Sequence, residues 1–339
     1  MVTRAALAIA AGVLAPLSPA AEVFNPSPHA IEVPVWFKTS FLDFGEDVAE
    51  AARERKRVMI YFGQDGCPYC RELMRVNFSQ RDLADKTRKH FDTVAVNIWG
   101  DREVVWVDRK RYSEKTFAAL LKVQFTPTLL FLDESGRVAL RLNGYYPPHK
   151  LAAALDYVAD RHENREPFAA FLARHAREPA SGKLHAQPFF MKPPYDLSRT
   201  RKAGARPLAV FFEQKDCAAC DELHGRGFGD ARLKALLPRF DIVRLELFGS
   251  APVVTPAGVR STESGWAREM GVAYTPSAVF FDAGGREVFR LEGYLRPFHL
   301  ASGFDYIASG AYRTQPSFQR FIQGRAERLR KAGETVELW

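Results

Sequence analysis

Two unbroken apolar runs, Val58-Met59-Ile60-Tyr61-Phe62 and Leu208-Ala209-Val210-Phe211-Phe212, open two halves of the chain that read alike. Short continuous runs of this kind, bounded by polar turns, fit strands buried on both faces. In the first half a polar helix over 47–57 leads into the run. A helix from Cys67 to about Val76 follows, then a helix over 79–90 with Ser79 as its expected cap. Residues 92–99 alternate as a strand, and 100–112 are polar around Val104-Val105-Trp106-Val107, the pattern of a small hairpin. A helix over 114–122 precedes strands 128–132 and 137–142, joined by a Glu-Ser-Gly turn. Helices over 148–162, with Leu151, Leu155 and Val158 on one face, and 167–176 close the half.

The second half repeats the order. It has a strand over 207–212, helices over 218–226 and 230–237, a strand over 241–247 and a longer loop over 249–262. A helix over 263–270, hairpin strands 277–281 and 287–291, and helices over 297–309 and 317–331 complete it. In the last helix Phe318, Phe321, Ile322 and Leu329 fall at helical spacing and are expected to pack on their own domain. Cys217 stands 150 residues after Cys67, and the same offset aligns Gln64 with Gln214, Glu72 with Glu222 and Leu73 with Leu223. An offset of 149 aligns Thr126-Pro127 with Thr275-Pro276, Gly144-Tyr145 with Gly293-Tyr294 and Asp156-Tyr157 with Asp305-Tyr306. Matches this dense, with a single one-residue slip, are two copies of one domain. The fold class is α/β, with two tandem domains, each a mixed sheet flanked by helices.

The 339 residues suffice for two domains. The formal net charge of +8 is scattered, so no nucleic-acid site is read from it. Its densest excess lies in 179–206, where Lys183, Lys192, Arg199, Arg201, Lys202 and Arg206 face Asp196 alone. With Pro188, Pro193 and Pro194 this stretch reads as a solvated linker between a first domain, 21–178, and a second, 207–339. Before them, Arg4 precedes an apolar run over 5–17, and Ser18-Pro19-Ala20 offers small residues for cleavage after Ala20. That is the layout of a secretory signal peptide over 1–20. The run is short for a membrane span, an uncleaved anchor being the alternative, and no later segment is apolar enough to span. The mature protein is therefore expected outside the cytoplasm, in a bacterial periplasm, with no integral membrane segment.

All four cysteines lie in Cys67-Pro68-Tyr69-Cys70 and Cys217-Ala218-Ala219-Cys220, each a few residues beyond its apolar strand. A cysteine at a helix N-terminus is favoured as thiolate by free N–H groups and the helix dipole. A second cysteine three residues on shares its face and can attack a mixed disulfide. Cys67 and Cys217 are thus candidate nucleophiles, and Cys70 and Cys220 candidate resolving thiols. A permanent disulfide in each copy is the plain structural alternative. A zinc site built from both pairs would require the two domains to dock. Pro68, Arg71 and Arg75 surround the first pair, whereas Asp216, Asp221 and Glu222 surround the second. Negative neighbours disfavour a thiolate, so the first nucleophile is expected to be the more acidic and its couple the more oxidising.

The linked features in each copy, an apolar strand before Cys-x-x-Cys, Thr-Pro before a hairpin and a hairpin-Gly-helix ending, resemble thioredoxin-like domains. The nearest likeness is to secreted proteins with a Phe-Phe-x-Gln-x-x-Cys-x-x-Cys opening. These include thioredoxins associated with bacterial sulfur oxidation and the periplasmic thioredoxin domain of transmembrane disulfide reductases. The resemblance implies cis prolines at Pro127 and Pro276, with Thr126 and Thr275 beside them touching substrate. It also implies a thiol–disulfide oxidoreductase acting on protein thiols and disulfides. That enzyme is expected to reduce more than oxidise, to be fed by a membrane donor of the disulfide-reductase type, and to need no cofactor or metal beyond the dithiols. A disulfide isomerase or chaperone, and a thioredoxin-fold binding adaptor with little turnover, are the alternatives. One departure stands out: thioredoxins carry a buried acid six residues before the first cysteine, where this chain has Tyr61 and Phe211. Glu213, Glu72 and Glu222 are the nearby candidates for a proton relay, with solvated helix charges as the plain reading. Trp99 and Trp106 are candidate rim or core residues, and His149 and His299 are read as falling at equal places after proline, with structural roles at a helix start.

Overall fold

In a computed structural model of the chain, describing residues 32–176, 179–199, 206–272, 274–293 and 295–336, the first apolar run forms a strand buried at every position. Along the chain helix α1 (Phe44–Arg53) precedes this strand, β1 (Arg57–Gly63). Then come α2 (Pro68–Glu72), α3 (Arg81–His90), β2 (Phe91–Asn97) and the hairpin β3 (Glu103–Val105) and β4 (Arg111–Ser113). Helix α4 (Glu114–Leu120), strands β5 (Thr128–Leu132) and β6 (Val138–Asn143), and helices α5 (Pro148–Ala159) and α6 (Phe168–His175) follow. Complete burial of β1 follows from its place: β2 pairs with it in parallel and β5 antiparallel, in a sheet ordered β2-β1-β5-β6. The apolar cores lie on the two faces of this sheet.

The second domain repeats the plan. It contains β7 (Tyr195–Asp196), β8 (Leu208–Glu213), α7 (Ala218–Glu222), α8 (Ala231–Leu236) and β9 (Asp241–Glu246). These are followed by β10 (Pro252–Val254), β11 (Arg260–Thr262), α9 (Glu263–Glu269), β12 (Ser277–Phe281), β13 (Glu287–Glu292), α10 (Pro297–Ala308) and α11 (Phe318–Lys331). Its sheet has the matching order β13-β12-β8-β9. Buried acids hold equivalent turns: Glu114 accepts the backbone N–H of Asn97, and Glu263 that of Glu246.

Several elements differ from the sequence expectation. Ser79 does not cap a helix; α3 begins at Arg81 behind Gln80, and the Ser79 hydroxyl donates back to the Arg75 carbonyl at 2.6 Å. Each dithiol helix ends after one turn and passes into a π-helical turn, Leu73–Asn77 or Leu223–Gly227, the kind of irregularity found at functional sites. The expected loop 249–262 holds the hairpin β10–β11, hidden in the sequence by Pro252, Pro256 and Gly258. The stretch 179–206 is not a solvated linker over its described residues. Tyr195 pairs in β7 with Val253, Phe189 and Phe190 pack on Phe228, and buried Arg199 meets Asp241 at 2.7 Å. Its apolar residues, diluted among charges in the sequence, drive this attachment. The proposed signal, and Arg201 and Lys202, lie outside the described residues.

The domains dock by exchanging aromatic rings. Phe125, just before Thr126, is buried in the second domain's core, 6.1 Å from Phe289 and 5.7 Å from Phe318 between ring centres. Tyr274, its counterpart before Thr275, is buried in the first domain's core, 6.1 Å from both Tyr146 and Phe168. Helix α11 packs on its own domain as expected, but Phe318 also receives this ring from the first. Polar contacts flank the exchange: the Tyr274 hydroxyl donates to the Arg141 carbonyl, and the Asn143 amide to Glu292. Like positions in the two copies thus meet in the self-complementary manner of a two-fold interface.

Candidate active sites

Both nucleophile candidates are helix caps. Cys67 takes the N-cap of α2, with Pro68 at the first helical position, and its Sγ accepts the Cys70 N–H at 3.2 Å. Cys217 caps α7 and accepts the Cys220 N–H at 3.0 Å. Cys67 and Cys70 are free thiols, and Cys217 and Cys220 form a disulfide. Thr126–Pro127 and Thr275–Pro276 are both cis. The Thr126 hydroxyl reaches Cys67 Sγ at 3.3 Å, and the Cys67 thiol lies 3.3 Å from the Thr126 carbonyl oxygen. Thr126 therefore stands at the first sulfur, with Pro127 following it in the chain, and Thr275 stands in the same neighbourhood as Cys217.

The first pair is electrostatically split. Burial resists ionisation of Cys67, yet hydrogen bonds from Cys70, Thr126 and the N–H groups of Cys70 and Tyr69 outweigh it, so its pKa lies below the usual thiol value. Cys70 is pushed well above that value, first by burial and then by its hydrogen bond and charge contact with Cys67. One thiol is poised to attack while the other keeps its proton. Replacing Thr126 by Val removes a hydroxyl donor from the Cys67 thiolate. A hydrogen bond to a charged group contributes about 1.5–3 kcal/mol. The midpoint for Cys67 alkylation against pH is therefore expected to rise by about one to two units. An unchanged midpoint in Thr126→Val would show that the hydroxyl does not hold the thiolate.

The region of the missing acid is filled differently in the two copies. In the first, the Tyr61 phenol hydrogen-bonds to Cys70, and burial raises its own pKa. In the second, Phe211 lacks a hydroxyl, and buried Glu213 lies two residues further along the strand, with both carboxylate oxygens 3.0 Å from His224 Nε2. The counterpart of Glu213 is Gly63, where a side chain would run into the Tyr61 hydroxyl. A tyrosine and a glutamate–histidine pair are thus mutually exclusive fillings of one region. Sequence reasoning noted Tyr61 and Glu213 but missed His224, whose signal was its place four residues after Cys220, on the same helical face.

The charge contrast between the sites is smaller than the sequence suggests. Asp221 is tied to His185 at 2.5 Å and to the Ser181 hydroxyl at 2.6 Å. Burial opposes ionisation of Asp221, but these partners hold its pKa below the ordinary value. Glu222 lies 3.6 Å from Arg226, and Glu72 2.9 Å from Arg75. Trp99 is a rim residue, donating to Gln64 at 2.7 Å, whereas Trp106 packs in the core between Phe44 and Phe117. Helices α5 and α10 start at Pro148 and Pro297, so the counterpart of His299 is Lys150, one residue beyond His149. Although the domains dock, no cluster of three or more His, Cys, Asp or Glu among the described residues could hold a metal ion.

A family model for the thioredoxin-like domain matches residues 44–159 and again 193–308. With this fold, two Cys-x-x-Cys helix caps and a cis Thr-Pro bond in each copy, the chain belongs to the thioredoxin-like family. No curated protein matches it. Among solved structures it is similar to a thioredoxin-fold protein from Helicobacter pylori, at 26% identity over 37% of this chain and 84% of that one, with a TM-score of 0.29. It is also similar to a thioredoxin from Thermus thermophilus, at 23% identity over 34% and 83% of the two chains, TM-score 0.29. A third, DsbH oxidoreductase, shares 17% identity over 40% and 93%, TM-score 0.28. The fold is that of thioredoxin-like thiol–disulfide oxidoreductases. No helix among the described residues is long and apolar enough to cross a membrane.

Proposed function

We propose that this chain is a periplasmic thiol–disulfide oxidoreductase that reduces protein disulfides at two dithiol sites and is re-reduced by a membrane electron donor. The observation that carries the exchange chemistry is the first pair: a Cys67 thiol lowered by its hydrogen bonds beside a Cys70 thiol held protonated by burial. The Cys67 thiolate attacks a substrate sulfur, and the displaced sulfur leaves as thiol. Cys70 then attacks Cys67 in the mixed disulfide, and the substrate departs with two electrons gained. Export rests on the N-terminal signal pattern. The reducing direction rests on the likeness of the strand-to-dithiol opening to reductase thioredoxin domains. The lowered Cys67 pKa stabilises the reduced pair and so makes the first couple more oxidising towards its partners, which makes direction the point to test. Acid quench of intact cells, alkylation and site mapping measure it. Both pairs largely reduced at rest is the expected result. Both pairs fully oxidised would overturn the reductase reading in favour of an oxidant or of structural disulfides.

A further inference from the structure

Beside each dithiol the neighbouring strand ends in a turn, and the two turns are built alike. Gly63 pairs with Asn97, and Glu213 with Glu246. The Ile98 N–H then donates to the Gly63 carbonyl at 3.0 Å, and the Leu247 N–H to the Glu213 carbonyl at 2.7 Å. Trp99 and Phe248 therefore hold one position in the two copies, as Gln64 and Gln214 do. In the first copy these positions are satisfied from within. The Trp99 indole N–H donates to Gln64 Oε1 at 2.7 Å, and the Gln64 amide donates to Gln319 of α11 at 3.2 Å. The Arg320 guanidinium lies 5.0 Å over the Trp99 ring.

In the second copy each of these partners is gone. Phe248 has no N–H to give. The Gln214 amide donates to the Asp216 carbonyl at 3.3 Å, which fixes its orientation, and Gln214 Oε1 is buried with no hydrogen-bond donor. Helix α6 starts at Phe168 as α11 starts at Phe318, so Ala169 and Ala170 stand where Gln319 and Arg320 stand. Phe248 is 50% exposed, with no aromatic or cationic partner among the described residues. An acceptor without a donor and an uncovered ring thus stand together beside the second dithiol. Gln214 lies three residues before Cys217 and shares a surface with it and with Thr275.

We infer that Gln214 and Phe248 are specificity-determining residues of the Cys217–Cys220 site, selecting polypeptide disulfides with a large apolar side chain beside the cysteine. This deepens, and rests on, the reading of the chain as an oxidoreductase of protein disulfides. A backbone N–H of the substrate takes the role that the Trp99 indole plays in the first copy, and its apolar side chain covers Phe248. A buried acceptor without a donor is costly, so a substrate that supplies the donor is favoured over one that does not. Gln214 is only half-buried, so rotation of its terminal amide brings Oε1 to the surface. That rotation gives up only the bond to Asp216, which at 3.3 Å is long for N–H···O. At the first site Trp99, Gln319 and Arg320 already fill both places, and this selection is absent.

The test uses the full-length chain carrying Cys67→Ala and Cys70→Ala, prereduced and freed of reductant. Synthetic peptides closed by a disulfide, with either Phe or Gly flanking each cysteine, oxidise the remaining pair, and alkylation follows the rate. Each rate is divided by that of dithiothreitol with the same peptide, which removes intrinsic reactivity. The Phe peptide is expected to react about tenfold faster than the Gly peptide, and Phe248→Ala to bring that ratio close to one. Phe248→Trp copies the first site: its indole N–H satisfies Gln214, so the Phe peptide should slow about fivefold while the thermal midpoint holds or rises. Gln214→Met, which keeps the length and removes the acceptor, should slow it by a similar factor. Equal rates for the two peptides would overturn the selection. So would a Phe-peptide rate that neither Phe248→Trp nor Gln214→Met lowers. A pair oxidised by diamide but by neither peptide would overturn the exchange reading at this site as well, a distinct result.

Discussion

Cys70→Ser in a chain that also carries Cys217→Ser should accumulate a stable mixed disulfide with substrate, whereas Cys67→Ser in the same background should react with nothing. The two thiols are only three residues apart, yet their surroundings set opposite roles. Cys67 caps α2 and receives hydrogen bonds from Thr126 and from backbone N–H groups. Cys70 is fully buried beside Met59 and Leu73 in the same core and is held protonated. Removing the buried thiol leaves attack intact and deletes only resolution. Removing the cap deletes the thiolate, and a serine hydroxyl is no nucleophile towards a disulfide at neutral pH. With Cys217 also absent, disulfide turnover should fall to the uncatalysed background in both variants, separated by trapping on a non-reducing gel. Trapping through Cys70 in Cys67→Ser would reverse the assignment.

Much of this was legible in the sequence for definite reasons. The two buried strands are written as unbroken apolar runs because each is central in its sheet, and the Thr-Pro pairs carry the cis loops. The segment 179–206 reads as a linker because average composition conceals Phe189, Phe190 and Tyr195 among lysines and prolines. The β10–β11 hairpin was lost to its prolines. The Glu213–His224 pair needed the three-dimensional adjacency of a strand end and a π turn. Hardest to see was the docking of the domains. Phe125 and Tyr274 read as ordinary apolar residues before a Thr-Pro pair, and nothing local says that each is buried in the other copy. The two sites also differ in what the opposite domain places beside them. Gln319 and His299 close one site, and the alanines of α6 leave the other open.

Phe125→Ala and Tyr274→Ala are each expected to lower the unfolding free energy by about 3–5 kcal/mol, the cost of truncating a buried aromatic ring. Phe125 meets Phe289 and Phe318, and Tyr274 meets Tyr146 and Phe168, so each substitution opens a cavity in the opposite domain rather than its own. Their effects should therefore not add. Once one exchange is lost and the domains separate, the second ring no longer has a partner core, and the double variant should cost less than the sum of the singles. Tyr274→Phe, which loses only the hydroxyl bond to the Arg141 carbonyl, should cost about 1 kcal/mol. Urea unfolding followed by tryptophan fluorescence gives the energies, and small-angle scattering gives the separation as a rise in radius of gyration. Strict additivity with an unchanged radius would mean that each ring stabilises only its local fold. Sub-additivity with expansion would show that the two loops hold the domains face to face, and that access to both dithiols is governed by one docking equilibrium.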